Sequence, residues 1–205
     1  MKISNKILGI AGIIAAPFLG LEMSVNEGSN TSLGGLFDLI YMLGWMCSII
    51  ALLNMKAAGE KSNGRIVLRI QLVLLAIANI WNIWVILDPD NSSTLFFILD
   101  FFWPLSNLFM LITGIAVAIA GRMEGWRRWT AMLAGLWLPF SVIIMMVVLN
   151  NVKAMNISIT YSVVAWSLLG LSIATTDDPV QKKPGARQEL QPSPHAAKKR
   201  AEFIS

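Results

Sequence analysis

Two kinds of side chain that carry most metal, redox and acid–base chemistry are nearly missing. The 205-residue chain has one histidine and one cysteine. Cys47 has no partner for an internal disulfide, and nothing near it has metal-ligand spacing. His195 lies in a polar stretch near the C-terminus, so no histidine is available within an apolar segment to ligate haem or a metal. There is no P-loop, no H-E-x-x-H, no G-x-S-x-G and no cysteine cluster. We therefore expect no cofactor. Charge is scarce too. Only 14% of residues are Asp, Glu, Lys or Arg, while 56% are hydrophobic. A soluble domain carries about 25% charged residues. So much apolar surface cannot be hidden in a water-soluble chain of this length, which excludes a soluble globular enzyme. Ten-residue stretches of alternating polarity are also missing, which excludes a membrane β-barrel.

What is abundant is the long apolar run. A helix needs roughly 20 mostly apolar residues to cross about 30 Å of hydrocarbon. Six stretches reach or approach that length: 7–21, 33–55, 66–87, 95–120, 129–149 and 157–174. Backbone polar groups must be satisfied internally in lipid, so these segments are expected to be helices. The first is the shortest. It has a positive start and a short apolar core, as a signal peptide does. However, no small-residue cleavage site leads into a polar start, and Pro17 follows Ala16. We read it as an uncleaved first span.

Basic residues collect on the cytoplasmic side of a membrane protein. Threading six spans from an internal N-terminus puts fifteen of the 16 Lys and Arg residues on one side, beside six acidic residues. The other side has Lys153 alone, beside Glu22, Glu27, Asp38, Asp88, Asp90 and Asp100. The predicted fold is an all-α integral membrane protein, a six-transmembrane-helix bundle with both termini in the cytoplasm. The location this implies is a cell membrane, plasma or bacterial inner. Its first partner is the lipid bilayer, with anionic headgroups suited to the basic inner face. The basic residues are scattered over short loops, so no nucleic-acid partner is expected. Nothing in the sequence indicates the oligomeric state.

Residues 1–176 form the predicted bundle. From 177 to 205 the composition turns polar, with four prolines and many charges, which predicts a disordered, basic cytoplasmic tail. Its Pro192-Ser193-Pro194 and Lys198-Lys199-Arg200 pieces read as parts of a solvated tail. Three N-x-S/T sequons, at Asn30, Asn91 and Asn156, fall in predicted outer loops. We read them as turn chemistry rather than glycosylation sites.

Ionisable residues within apolar spans are the strongest functional pointers in such a chain. Asp38 and Asp100 each sit five residues inside their runs, roughly 7–8 Å below the outer helix ends at 1.5 Å per residue. Each has an aromatic residue one turn below, Tyr41 and Trp103. A buried carboxylate is costly unless it is paired, neutralised or hydrated. In the third run Gln71, Asn79 and Asn82 share about 80° of helix arc, flanked by Trp81 and Trp84. Asn107 adds an amide in the fourth. Amides at membrane depth bond to other helices or to a solute. Pro17, Pro104 and Pro139 lie inside runs, and Pro104 is expected to kink the fourth beside Asp100. Gly114, Gly135 and Gly170 would allow close helix contacts. Trp84, Trp126 and Trp129 read as interfacial anchors. Asp38 and Asp100 are 62 residues apart, and the same offset pairs Ala58-Gly59 with Ala120-Gly121 and Arg65 with Arg127. This hints at an internal duplication.

The expectation is an outward-facing acidic cavity bounded by spans two, three and four. Its candidate ligand or ion-binding residues are Asp38, Asp100, Tyr41, Trp103, Asn79, Asn82 and Asn107. It would bind or pass a small cation, a proton or a polar solute. An alternative is a non-catalytic structural or regulatory subunit whose polar residues only hold helices together. A membrane-embedded enzyme using the carboxylate pair ranks third.

Overall fold

The computed structural model describes residues 3–25, 30–60, 62–148 and 151–176. The predicted tail, with His195, lies outside the described residues. Helices account for almost all that is described, and no strand occurs among those residues. In chain order they are α1 (Asn5–Ala15), α2 (Phe18–Val25), α3 (Ser32–Asn54), α4 (Ser62–Leu87), α5 (Thr94–Asp100), α6 (Phe102–Ala120), α7 (Arg127–Gly135), α8 (Trp137–Val147) and α9 (Asn151–Ala174). Five stretches are long and apolar enough to cross a membrane: Asn5–Val25, Ser32–Asn54, Ser62–Leu87, Thr94–Ala120 and Asn151–Ala174. The α7–α8 pair is bent by 51° and makes a sixth only if it is one broken span. The expected count of six is therefore met only in that second counting.

The breaks follow from the prolines. A proline has no N–H to give the carbonyl four residues earlier, and its ring crowds that carbonyl. For Pro104 that carbonyl belongs to Asp100, where α5 ends. For Pro139 it belongs to Gly135, where α7 ends. Each helix restarts two residues later. Pro17 stands at the α1–α2 junction itself, and the chain resumes helical bonding with Gly20 N–H and Leu21 N–H donating to its carbonyl. Side-chain caps mark other starts. Thr31 Oγ1 accepts from Gly34 N–H at 2.9 Å, and Ser93 Oγ accepts from Phe96 N–H at 3.3 Å. Asn91 Oδ1 accepts from Ser93 N–H and Oγ–H, at 2.9 and 2.7 Å. Two of the three sequons are thus occupied with turn and cap bonding. The third departs from expectation. Asn156 lies within α9, not in a loop, because that helix begins at Asn151 rather than near residue 157.

At the end of α3, Lys56 holds a left-handed backbone at φ 53°. Ala57 N–H donates back to Leu52 O at 2.9 Å, a Schellman-type stop usually built on glycine. Lys56→Gly is expected to leave stability unchanged or raise it, by up to ~1 kcal/mol. Thermal unfolding in detergent measures this, and a clear loss would show that the Lys56–Glu60 ion pair outweighs the backbone gain.

The spans pack as a ring in sequence order. α3 packs against α1, α2 and α4, and α4 against α6. α6 packs against α7, α7 and α8 against α9, and α9 returns to α1. The closing seam runs through two glycines. A Cβ on Gly9 would lie 2.6 Å from Gly170 O, and a Cβ on Gly170 would lie 2.7 Å from Gly9 O. Small residues let backbones approach where lipid supplies no hydrophobic drive for helix association. The expected tight contact at Gly114 and Gly135 is also present, between α6 and α7.

Apolar side chains face outward as well as inward, and several polar ones are buried among the apolar core. Ile119, Met146 and Leu87 are about four-fifths exposed, while Gln71, Asn82, Ser106, Thr113, Ser162 and Ser172 are fully buried. One end of the ring carries Asp38, Asp88, Asp90 and Asp100. The opposite end carries Lys56, Arg65 and Arg122, tied together by Glu60. Arg122 reaches the Glu60 carboxylate at 3.1 Å, and Arg65 donates to the Glu60 carbonyl at 2.8 Å. The proposed duplication is mirrored only in part. Gly59 and Gly121 both have positive φ, at 97° and 61°. Yet Gly121 caps α6 directly, whereas Gly59 lies beyond a further turn after α3. No break in α3 matches the one at Phe101.

Candidate functional site

At the acidic end, α2, α3, α4, α5 and α6 surround a cavity of about 260 Å³. Its lining is Leu19, Glu22, Met23, Asp38, Trp81, Asp100 and Trp103. Asp38 and Asp100 each sit six residues into their stretch of helix, counted from Ser32 and Thr94. This places both about 9 Å in from the helix start. The Pro104 break matters here. It ends α5 at Asp100 and α6 starts two residues on, at Phe102, so Trp103 lies in the first turn of α6 close to the carboxylate.

Asp38 is 5% exposed, and its Oδ1 has no hydrogen-bond partner. A buried polar atom without a partner is rare, because leaving it unpaired costs ~1–3 kcal/mol. Asn82 is the amide against this carboxylate, but neither its Nδ2 nor its Oδ1 completes a hydrogen bond of good geometry. Glu22 and Asp100 are near enough to act electrostatically on Asp38. No lysine or arginine lines the cavity. Among the described residues no three His, Cys, Asp or Glu side chains converge to hold a metal ion.

The two indoles in the wall are braced from behind. Trp81 packs on Phe96 at 5.6 Å between ring centroids. Trp103 meets Trp137 edge-on at 5.6 Å, and Trp137 Nε1–H donates to Ser158 O at 3.0 Å. The indole N–H groups of Trp81 and Trp103 have no acceptor. Phe18 against Phe37 at 5.7 Å fixes α2 on α3, which brings Glu22 to the rim.

Of the residues singled out from the sequence, the structure brings Asp38, Asp100 and Trp103 onto one cavity, with Asn82 directly behind Asp38. It does not bring the others there. Tyr41 lies one turn below, in a buried trio with Trp45 and Trp166, whose rings are 4.4–6.1 Å apart. None of the three lines the cavity. Asn79 Nδ2 donates to Leu75 O at 2.8 Å and approaches Met46 Sδ. Asn107 Nδ2 donates to Trp103 O at 3.0 Å in its own helix. The polar tie between α4 and α6 runs instead through Gln71, whose Nε2–H donates to Ser106 O at 3.2 Å while Thr113 Oγ1–H approaches its Oε1. Sequence reasoning missed two members of the site. Glu22 counted only as loop charge because the first apolar run was ended at residue 21. Trp81 was placed as a flank of the amide stripe. The signal for both was position: each lies within two turns of the acidic end of its span.

The chain is thus a bundle of membrane-length helices enclosing an acidic, indole-walled cavity. Comparison with protein-family models, with curated proteins and with solved structures finds no match.

Proposed function

We propose that this is a six-span membrane protein with both termini in the cytoplasm, whose acidic cavity opens outward and binds a small cationic or polar solute. The α7–α8 pair is the fifth span, broken by Pro139. Charge supports the orientation, since the Lys and Arg residues gather at the end opposite the cavity. One observation carries the binding reading: Asp38 lines a cavity that it shares with Asp100, is buried, and has an oxygen without a hydrogen-bond partner. Structural roles explain Gln71, Asn79 and Asn107, whose side-chain amide N–H groups each donate to a helix backbone carbonyl. They do not explain Asp38, whose carboxyl would be cheaper to replace with an apolar group than to bury with an oxygen unpartnered. The lining does not continue past Asp38 to Tyr41, Trp45 or Trp166, which favours binding over passage.

Orientation is tested with single cysteines at Ser92, Glu124 and Ser205 in a Cys47→Ser background. A membrane-impermeant maleimide is expected to label position 92 in intact cells, and positions 124 and 205 only after permeabilisation. Labelling of 124 and 205 from opposite faces would overturn the topology. Binding is tested by thermal unfolding of the purified protein across a panel of salts, amines and neutral polar solutes. At least one solute is expected to stabilise the wild type and not Asp38→Asn. A panel that shifts both proteins equally would leave helix packing as the role of the polar residues.

A further inference from the structure

The chemistry of the cavity wall narrows the ligand. A calcium ion takes six to eight oxygen ligands at about 2.3–2.6 Å, and magnesium keeps several waters in a strict octahedron. The wall offers carboxylates from three different helices, α2, α3 and α5, not converging on one point, and the remaining lining is two indoles, a leucine and a methionine. A bare metal ion would be under-coordinated there. A proton alone would leave the space and the aromatic faces without a role. A cavity of roughly 150 Å³ already holds a benzene ring. By proportion, about 260 Å³ admits a ligand of roughly ten non-hydrogen atoms. Carboxylate plus indole is the pairing that recognises organic ammonium ions, through charge and through the negative face of the ring.

We propose that the cavity is a binding site for a small organic ammonium ion, with Asp38 at its base and Asp100 at its side as counter-charges and Trp81 and Trp103 as walls. The inference rests on the reading that the acidic cavity is a ligand site. Asp38 supplies a buried carboxyl whose Oδ1 has no hydrogen-bond partner among the described residues. Asp100, half-buried at the α5 end, is reached from the same space. The bracing of Trp103 by Trp137 and of Trp81 by Phe96 holds the walls before a ligand enters, so little ordering is needed on binding. The lining stops at Asp38 and does not include Tyr41, Trp45 or Trp166. The apolar part of the ligand then lies along Leu19, Met23 and the indoles.

The test uses the full-length protein in lipid nanodiscs, with tetramethylammonium and benzylammonium as probes and benzyl alcohol, sodium and calcium as comparisons at matched ionic strength. Binding is read by thermal shift and by tryptophan fluorescence. Both ammonium probes are expected to stabilise the protein, and benzyl alcohol is not. Asp38→Asn is expected to weaken the ammonium probes about 30-fold or more, the usual result of removing one partner of a buried charge pair. Trp103→Leu and Trp81→Leu are each expected to weaken them by roughly 3- to 30-fold. Asp100→Asn, at a half-buried position, serves if Asp38→Asn does not fold, and its loss of binding supports the same site. Stabilisation by sodium or calcium, but not by the ammonium probes, that depends on Asp38 or Asp100 overturns the ammonium class while leaving the acidic site. If no cation distinguishes the wild type from the two aspartate variants, the ligand site itself falls.

Discussion

Gly170→Leu is expected to be among the most damaging single substitutions in the molecule. A Cβ at this position would stand 2.7 Å from Gly9 O and 2.8 Å from Ile13 N, both backbone atoms of α1. No rotamer of a neighbour can relieve that contact, so α1 must move as a unit. Overpacking a well-fitted interface typically costs ~1–3 kcal/mol, and displacement of a whole helix puts this case at about 3 kcal/mol or above. The seam joins the first and last spans, so its opening breaks the ring. Thermal unfolding in detergent, with size-exclusion profile, measures the effect. Val164→Leu on the same helix is the control, because Val164 is 52% exposed on the outer face and a larger apolar side chain there meets only lipid or detergent. Equal stability of the two variants would show that α1 is loosely held and that the ring is not closed by this seam.

Asp38→Leu is expected to act in the opposite direction. Asp38 is buried, and its Oδ1 has no partner. Replacing an unsatisfied buried polar group with an apolar one of similar volume removes a desolvation cost of ~1–3 kcal/mol. Leucine puts two methyl groups where the carboxyl oxygens stood, and the neighbouring cavity gives their added volume room. The ligand-free variant should therefore unfold at a higher temperature than the wild type, while ammonium binding disappears. A gain in stability with a loss of binding is the signature of a residue kept for function. If Asp38→Leu instead loses stability in the absence of ligand, Asp38 is a structural group whose bonding partner is supplied within the bundle. The helix-packing account would then extend to this residue.

The two substitutions probe features with different visibility in the sequence. Asp38 and Asp100 were legible because charge inside an apolar run is conspicuous, and because both stand at the same depth on spans that run in the same direction. The proline breaks were legible for a local reason. Pro104 and Pro139 each leave a carbonyl four residues earlier without its donor, and the helices stop at Asp100 and Gly135, those same residues. The amide stripe was misleading. Gln71, Asn79 and Asn82 share a helix face, yet one bridges to α6, one bonds to its own helix and one lies against Asp38. A shared face does not specify which neighbour it meets. The start of the last span was missed by six residues because Asn151, Lys153 and Asn156 are polar, and a polar first turn at a membrane surface leaves no hydropathy signal.

By itself the sequence determined the helical class, the approximate spans, their breaks and the separation of acidic from basic ends. Those properties come from interactions within a few residues or from the solvent: hydrocarbon demands internally bonded backbone, and proline withholds a donor. The closed order of the ring, the Gly9–Gly170 seam and the meeting of Glu22, Asp38, Trp81, Asp100 and Trp103 were decided only by the tertiary structure. They depend on which helix faces which across distances in sequence of up to 161 residues. In lipid that choice is made by shape and hydrogen bonding between helices, because every apolar face is equally at ease against the acyl chains.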